Sequence, residues 1–146
     1  MSIKIDASSN KAIVKIKGLK KLTGFAKERA GYNSGQDLLK QANTDILKKP
    51  KTGRLYFRRD SLGRRRRHRA SSQGETHANL SGTLRKTLGF KVSQNDLDFG
   101  FGVDRGDAPP YAQSIENTRN TLENTIRASK RNIENNLRRE IKKIGK

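Results

Sequence analysis

The clearest strand in the sequence is Leu97-Asp98-Phe99-Gly100-Phe101-Gly102-Val103, in which apolar side chains alternate with polar residues or glycine. Strict alternation of this kind is typical of a strand with one buried face. The preceding segment, Gly89-Phe90-Lys91-Val92-Ser93, is also β-prone, and Gln94-Asn95-Asp96 has the composition of a turn. We therefore predict that residues 89–103 form an antiparallel hairpin.

Further strands are predicted near the N-terminus. Lys11-Ala12-Ile13-Val14-Lys15-Ile16-Lys17 alternates well enough to form a strand, and Gly18 is suited to end it. Ile3 and Ile5 suit an earlier strand. These segments provide the other members of a small antiparallel sheet.

Two helices are predicted between these strands and Pro50. In residues 19–30 the apolar side chains recur at three- and four-residue steps, and Gly31 is suited to end the helix. A second helix begins at about Ser34 and carries a single apolar stripe as far as Leu47. Proline disfavours helical geometry in the residue before it, so the second helix is expected to stop there.

Helical spacing returns in the middle of the chain. Leu80, Leu84 and Leu88 follow one another at four-residue steps, and Asn79 or Ser81 is suited to cap the helix that they define. We therefore predict a short helix immediately before the 89–103 hairpin.

The C-terminal part predicts two more helical segments. Tyr111, Ala112 and Ile115 give one or two turns after a Pro-Pro pair. The final helix carries one narrow apolar stripe on an otherwise polar surface, which is typical of packing on a sheet or on a neighbouring subunit. The stripe consists of Leu122, Ile126, Ile133, Leu137, Ile141 and Ile144.

Together these patterns predict an α+β fold in a single domain over residues 1–146. We expect a small antiparallel sheet packed against helices, an extended basic loop or hairpin arm projecting at 51–77, and a long C-terminal helix over 118–146. The longest apolar run is Ala12-Ile13-Val14, from which we expect neither a transmembrane helix nor a signal-peptide core.

Composition indicates a chain that is not complete by itself. Hydrophobic residues make up 31% of the 146 residues, against roughly 45–50% in an ordinary soluble domain. The formal net charge is +19, and more than half of it lies in residues 48–69, which carry eleven basic side chains and only Asp60. We therefore expect much of the chain to be arm or surface that a partner covers.

The basic run is the main candidate for an interaction site. Clustered arginines repel one another and favour an anionic partner, which is either a phosphodiester backbone or an acidic protein surface. A solvated loop or a localisation-like patch is the simpler alternative. The arginines assigned to the interaction are Arg54, Arg58, Arg59, Arg64, Arg65, Arg66, Arg67 and Arg69.

Residues for catalysis or metal binding are not evident in the sequence. Cysteine is absent, and the two histidines, His68 and His77, match no zinc-ligand spacing and are expected at the surface. Four aspartates around the predicted hairpin are expected in turns or on the strand surface: Asp96, Asp98, Asp104 and Asp107. We accordingly predict no enzyme activity, cofactor or metal, and keep a nuclease only as a third hypothesis.

The order of several short motifs resembles tail-completion and head–tail joining proteins of long-tailed bacteriophages. In that family a Ser-x-Pro/Gln-Gly-Glu turn precedes a Thr/Ser-Gly-x-Leu helix start, a strand pair, a Tyr-Ala-x-x-Ile/Leu-Glu segment and a C-terminal helix. The resemblance covers most of the chain. The matching residues are Ser71, Gly74 and Glu75 in the turn, Ser81, Gly82 and Leu84 at the helix start, and Tyr111, Ala112 and Glu116 in the later segment.

One departure concerns the end of the Tyr-Ala segment. The family usually continues with Gly-Thr and later an Arg-Pro pair, whereas this chain continues with Asn117-Thr118 and has no proline after Glu116. This leaves open a fusion of the Tyr-Ala helix and the C-terminal helix into one.

The resemblance implies a structural virion protein of the neck or head-proximal tail end. Such a protein would assemble as a homo-oligomeric ring, dock on connector, terminator or tail-tube proteins, and lie in the virion after assembly in the host cytoplasm. It would contact no membrane, and its basic arm would face either genomic DNA in the channel or acidic neighbouring proteins. The alternative from the residues alone is a general nucleic-acid-binding protein that uses the arginine-rich arm.

Overall fold

The computed structural model describes residues 2–6, 13–17, 24–78, 82–93, 96–104 and 106–144. Its elements confirm the α+β class. In chain order they are β1 (Ser2–Asp6), β2 (Ile13–Lys17), α1 (Gly24–Leu47), β3 (Leu55–Arg59), β4 (Arg65–Arg69), α2 (Thr83–Lys86), β5 (Leu88–Val92), β6 (Asp96–Phe101), α3 (Ala112–Arg119) and α4 (Thr121–Ile144).

Four strands form one antiparallel sheet in the order β1-β2-β6-β5. The predicted hairpin is present as β5 and β6, with Phe90 opposite Phe99 and Leu88 opposite Phe101. On its other side β6 pairs with β2, in a register that aligns Val14 with Phe99. The strands predicted around Ile3 and over 11–17 are thus confirmed as β1 and β2.

A single hydrophobic core lies between this sheet and the two long helices. The alternation read from the sequence is preserved, since Leu97, Phe99 and Phe101 are buried. Burial of such side chains is the main favourable term in folding. The other core residues are Leu88 of β5 and residues from every helix: Ala30, Leu38, Leu39, Ala42 and Ile46 of α1, Leu84 of α2, Ala112 of α3, and Leu122, Ile126 and Ile133 of α4.

The prediction of two separate helices before Pro50 is wrong. α1 is one helix of 24 residues that continues through Gly31 and Ser34. Both residues are buried, as is the neighbouring Gly35. Small residues let the other elements approach this part of the helix closely, and that packing outweighs the weak helix propensity of glycine and serine.

Gly35 has a specific reason to lack a side chain. A Cβ atom at this position would overlap the ring of Phe90 on β5. The ring of Phe90 is held in turn by an edge contact with Tyr32, with the ring centroids 5.7 Å apart. The close contact between α1 and β5 therefore depends on glycine here.

We expect Gly35→Ala to lower the free energy of unfolding by about 2 kcal/mol, although alanine is the better helix former. The overlap with Phe90 is the cause. Urea unfolding monitored by circular dichroism measures the loss, and a double-mutant cycle with Phe90→Ala identifies its origin. If Gly35→Ala costs as much without the ring as with it, this explanation is wrong.

Two further boundaries differ from the sequence prediction. The helix predicted through Leu80, Leu84 and Leu88 is only the single turn α2, because Leu88 already belongs to β5. Leu80 and Ser81 lie outside the described residues. Gly82 precedes α2 with a φ of 79°, which is a left-handed conformation that glycine adopts easily.

The fusion of the last two helices that the sequence left open does not occur. α3 ends at Arg119 and α4 begins at Thr121, with Asn120 between them in a left-handed conformation at φ 49°. Asparagine is one of the few residues other than glycine that tolerate this region. The two helices are therefore joined by a sharp, single-residue elbow.

The apolar stripe of α4 packs mainly within the chain. Leu122, Ile126 and Ile133 are buried and Leu137 packs against the core from its edge, which confirms them as helix-packing residues. Ile141 is 44% exposed and does not belong to that core. Since Glu140 beside it is buried, the last turns of α4 contact α1 mainly through polar groups.

Candidate functional site

The candidate site is the basic hairpin, residues 54–69, which contains β3 and β4 and the turn between them. Every residue of β3 is exposed, and so is every residue of β4 except the half-buried His68. The two strands form a separate two-stranded sheet that does not join the main one. The hairpin therefore projects from the domain, as the sequence predicted.

The turn of the hairpin is organised by Asp60. Its carboxylate accepts hydrogen bonds from the backbone N–H groups of Leu62 (3.0 Å) and Arg64 (2.9 Å). It also pairs with the guanidinium groups of Arg64 (3.0 Å) and Arg66 (3.2 Å). Partial desolvation disfavours its charge, but these bonds outweigh that effect and hold the pKa of Asp60 below its usual value.

The register divides the hairpin into two faces. Leu55 is opposite Arg69, Phe57 opposite Arg67, and Arg59 opposite Arg65. Since side chains alternate along a strand and opposed residues share a side, these six form one face, which we call the arginine face. The other face, the aspartate face, carries Tyr56, Arg58, Asp60, Arg64, Arg66 and His68.

The two faces differ in charge balance. Asp60 neutralises part of the charge on the aspartate face, where the rings of Tyr56 and His68 also contact each other in a tilted arrangement, with centroids 5.0 Å apart. The arginine face contains four arginines and no acidic residue, and none of the four forms an ion pair with any residue that the structure describes. The uncompensated positive charge is therefore larger on the arginine face than on the aspartate face.

Aromatic and apolar side chains lie between these arginines. The guanidinium carbon of Arg65 lies 4.0 Å from the centre of the Phe57 ring, which is a cation–π contact. Phe57 is nevertheless 49% exposed. At the base of the same face, Arg69 donates one hydrogen bond to the backbone carbonyl of Gly53 (3.2 Å) and remains exposed.

The base of the hairpin is fixed by Glu75. Its Oε2 accepts hydrogen bonds from the backbone N–H groups of Ser72 (2.8 Å) and Thr52 (3.2 Å), and its Oε1 accepts one from the hydroxyl of Thr52 (2.6 Å). The bonds from Thr52 and Ser72 hold the pKa of Glu75 below its usual value. One carboxylate thus ties together the two chain segments that enter and leave the hairpin.

A second set of contacts fixes the returning segment to the α3–α4 elbow. The N–H of Gly74 donates to the carbonyl of Thr118 (2.9 Å), and the side chain of Asn124 donates to the carbonyl of Gly74 (2.8 Å). The backbone N–H of His77 donates to the hydroxyl of Thr121 (3.1 Å). Because of these bonds the projecting part is shorter than the predicted 51–77: Ser71, Thr76 and His77 are buried in the domain.

The expectation that His77 lies at the surface is therefore wrong. Its ring is in contact with Phe101, and its Nδ1 lies 3.0 Å from the Thr121 hydroxyl. Burial, with a smaller contribution from the charge of Lys51, lowers the pKa of His77 to about 4. Its burial depends on Thr121, 44 residues later, and no local sequence pattern reports such a contact.

Glu116 has the complementary position on the other side of the elbow. Its Oε1 accepts a hydrogen bond from the N–H of Leu122 (2.8 Å) in the first turn of α4, and the residue is only 3% exposed. Burial raises the pKa of Glu116 to about 7, and the N–H groups of Leu122, Glu123 and Thr121 oppose that rise only in part. Glu116 therefore ties the end of α3 to the start of α4.

The motif residues that carry the family resemblance hold elements together. Gly74, Glu75 and Glu116 form the hydrogen bonds described above. Leu84 and Ala112 belong to the hydrophobic core. Tyr111 is 46% exposed and precedes α3, while Ser81 lies outside the described residues.

A polar groove between α1 and α4 is the main alternative location. It has a volume of about 460 Å³ and is lined largely by amide side chains such as Asn33, Gln36 and Asn135. One amide in its wall, Asn136, is already bonded to Asp37 (2.9 Å). Among the residues that the structure describes, no three histidine, aspartate or glutamate side chains cluster as metal ligands would.

Sequence reasoning did not identify the ion cluster that joins the two long helices. Glu140 is 1% exposed and contacts Arg29 of α1 (3.1 Å) and Lys143 (2.8 Å). The hydrogen bond from Lys143 is the main reason why the pKa of Glu140 lies below its usual value.

No helix in the described part of the chain has the length and apolar character needed to cross a membrane.

Comparison of the chain with protein-family models, with curated proteins and with solved structures gave no significant match.

Proposed function

We propose that this chain is a structural virion protein of a long-tailed phage, located in the neck or at the head-proximal end of the tail. It assembles there as a homo-oligomeric ring and docks on connector, terminator or tail-tube proteins. The observation that carries the proposal is the projecting basic hairpin, which is fixed to a small α+β domain through Glu75 and Gly74, two residues of the family turn.

The way in which the hairpin is fixed supports a role in assembly. A disordered tail must be ordered when it binds, which costs conformational entropy. Here Glu75 and the α3–α4 elbow already hold the base of the hairpin, and Asp60 already forms its turn. The hairpin is therefore presented in a defined direction before a partner arrives.

Exposed apolar side chains support the presence of neighbours. Leu62 at the tip of the hairpin is 72% exposed, and Ile141 and Ile144 near the end of α4 are 44% and 54% exposed. In a closed ring each subunit offers two different surfaces to its two neighbours, which can cover such side chains. Several hairpins held in one ring also bind a common target with avidity that no single hairpin provides.

No covalent step is part of this mechanism. The ring closes by burial of surface between subunits, and the hairpins join it to the next component. The two sides of the junction are thereby held together through many weak contacts.

Immunogold electron microscopy tests the proposal. Antibodies raised against the purified chain are expected to label virions of the encoding phage as a single site between head and tail, and the purified chain is expected to form rings in negative stain. The proposal is wrong if the label lies elsewhere on the particle, or if virions carry none while the lysate contains the chain. A chain that stays monomeric and only shifts in size with nucleic acid would instead support the general nucleic-acid-binding hypothesis.

A further inference from the structure

We infer that the arginine face of the basic hairpin binds the phosphate backbone of duplex DNA without reading its sequence. The inference rests on the proposed function, since it names which component of the junction this face meets. The main observation is that four arginines lie on the opposite face of the hairpin from Asp60, which is its one carboxylate. These are Arg59, Arg65, Arg67 and Arg69.

The charges on the arginine face lack compensation. Arg59 and Arg65 lie directly opposite each other in the ladder, and like charges in that position destabilise a strand pair. On the aspartate face the chain supplies Asp60 between Arg64 and Arg66. The arginine face has no such residue, so an external anion relieves its repulsion and is bound for that reason.

The arginines of β4 are regularly spaced. Arg65, Arg67 and Arg69 follow one another on one side of β4, and alternate residues of a strand lie about 7 Å apart. The row is therefore about 14 Å long, a length that spans about four phosphates of one DNA strand. A regular polyanion meets such a row along its whole length, whereas an acidic protein surface would have to hold several carboxylates at the same spacing against their own repulsion.

The surroundings of Phe57 favour duplex over single-stranded DNA. Proteins that bind single strands stack bases on open aromatic rings. Phe57 is the one aromatic side chain on this face, and the Arg65 guanidinium already covers one side of its ring. A two-stranded β-ribbon, by contrast, has the dimensions that fit the major groove of duplex DNA.

Fluorescence anisotropy with the full chain and a labelled 24-base-pair duplex, at 50, 100 and 200 mM NaCl, tests the inference. The test variant combines Arg59→Gln, Arg65→Gln, Arg67→Gln and Arg69→Gln. The matched control removes four positive charges from exposed positions of α4: Lys130→Gln, Arg131→Gln, Arg138→Gln and Lys142→Gln. Circular dichroism melting confirms that both variants are folded.

We expect the test variant to bind DNA at least about 100-fold more weakly at 100 mM NaCl, with a salt slope smaller by roughly 3 to 4, since each phosphate contact contributes about 0.9. The control is expected to change affinity by less than about tenfold. Scrambling the DNA sequence is expected to change nothing.

Three results would overturn the inference: no binding of the duplex by the wild-type chain at 50 mM NaCl, equal losses in the test and control variants, or equally tight binding of poly-L-glutamate through the same four arginines. The last result would assign the face to acidic protein. If the chain labels the head–tail junction but does not bind DNA, this inference is wrong and the proposed function stands. If the chain binds DNA but is absent from the junction, the proposed function is wrong and DNA binding by this face stands.

Discussion

Replacement of residues 54–69 by Asn-Gly is expected to leave a folded domain that no longer joins phage heads to tails. The deleted segment contains eight arginines and Asp60, so the net charge falls by seven. Its strand residues are exposed and form a sheet of their own, so the main core loses nothing. Gly53 and Ala70 are already connected by a hydrogen bond (3.0 Å), and Asn-Gly is a favoured two-residue hairpin turn.

Two measurements separate folding from function in this deletion. The melting temperature should stay within about 3 °C of the wild type, because less than about 1 kcal/mol is at stake. Complementation of a phage that lacks the gene should yield full heads and separate tails instead of virions. The α4 double variant Lys130→Gln/Arg131→Gln, whose exposed positions lie away from Ile141 and Ile144, should still give virions because it keeps the hairpin. Normal virions from the deletion would show that the hairpin has no role in joining.

The sheet was predictable because its signal is local. Alternation in residues 97–103 depends only on which side chains face the core, and the structure keeps it in Leu97, Phe99 and Phe101. The continuity of α1 was not predictable from the same kind of pattern. Gly31 suggests a helix end in isolation, and the close packing that favours a continuous helix, such as the ring of Phe90 against Gly35, comes from a residue more than fifty positions later.

The candidate site was predictable in its composition but not in its geometry. A run of arginines is visible in any reading of residues 54–69, yet its division into two faces depends on register. That register is set at the turn, where the Asp60 carboxylate accepts hydrogen bonds from two backbone N–H groups and Gly63 adopts a φ of 74°. A shift of one residue would exchange the faces, and with them the partners of every arginine.

The α3–α4 elbow leads to a prediction about pH, because its two buried titratable groups act in opposite directions. The pKa of Glu116 is raised to about 7 in the folded protein, from a usual value near 4.5. Between these values the folded state binds more protons than the unfolded state, so the stability from this group is fully present below pH 4.5 and is lost as the pH rises to 7. The pKa of His77 is lowered from 6.5 to about 4, so its contribution is full above pH 6.5 and is lost as the pH falls to 4.

Each effect amounts to about 3 kcal/mol, since one pKa unit corresponds to about 1.4 kcal/mol. In the wild type the two slopes cancel, and we expect the free energy of unfolding to be nearly constant between pH 4.5 and 6.5. This constant range ends at about pH 4.5. The pKa values of Asp60, Glu75 and Glu140 are held below their usual values, so these carboxylates begin to lose their contributions to stability below that pH.

A single substitution at either group should expose the pH dependence of the free energy of unfolding that comes from the other group. Glu116→Gln retains an oxygen that can accept the hydrogen bond from Leu122 and removes one titration, so the variant should gain about 2.5 kcal/mol of stability as the pH rises from 4.5 to 6.5. His77→Asn retains a polar side chain that can hydrogen-bond with the Thr121 hydroxyl and should lose about 3 kcal/mol between pH 4.5 and 7. Urea unfolding at constant ionic strength, followed by circular dichroism across pH 4.5–7.5, measures both slopes. Equal pH profiles for the wild type and both variants would mean that these two groups do not control the stability of the elbow, and opposite slopes would locate its proton sensitivity at the point where the hairpin is fixed to α4.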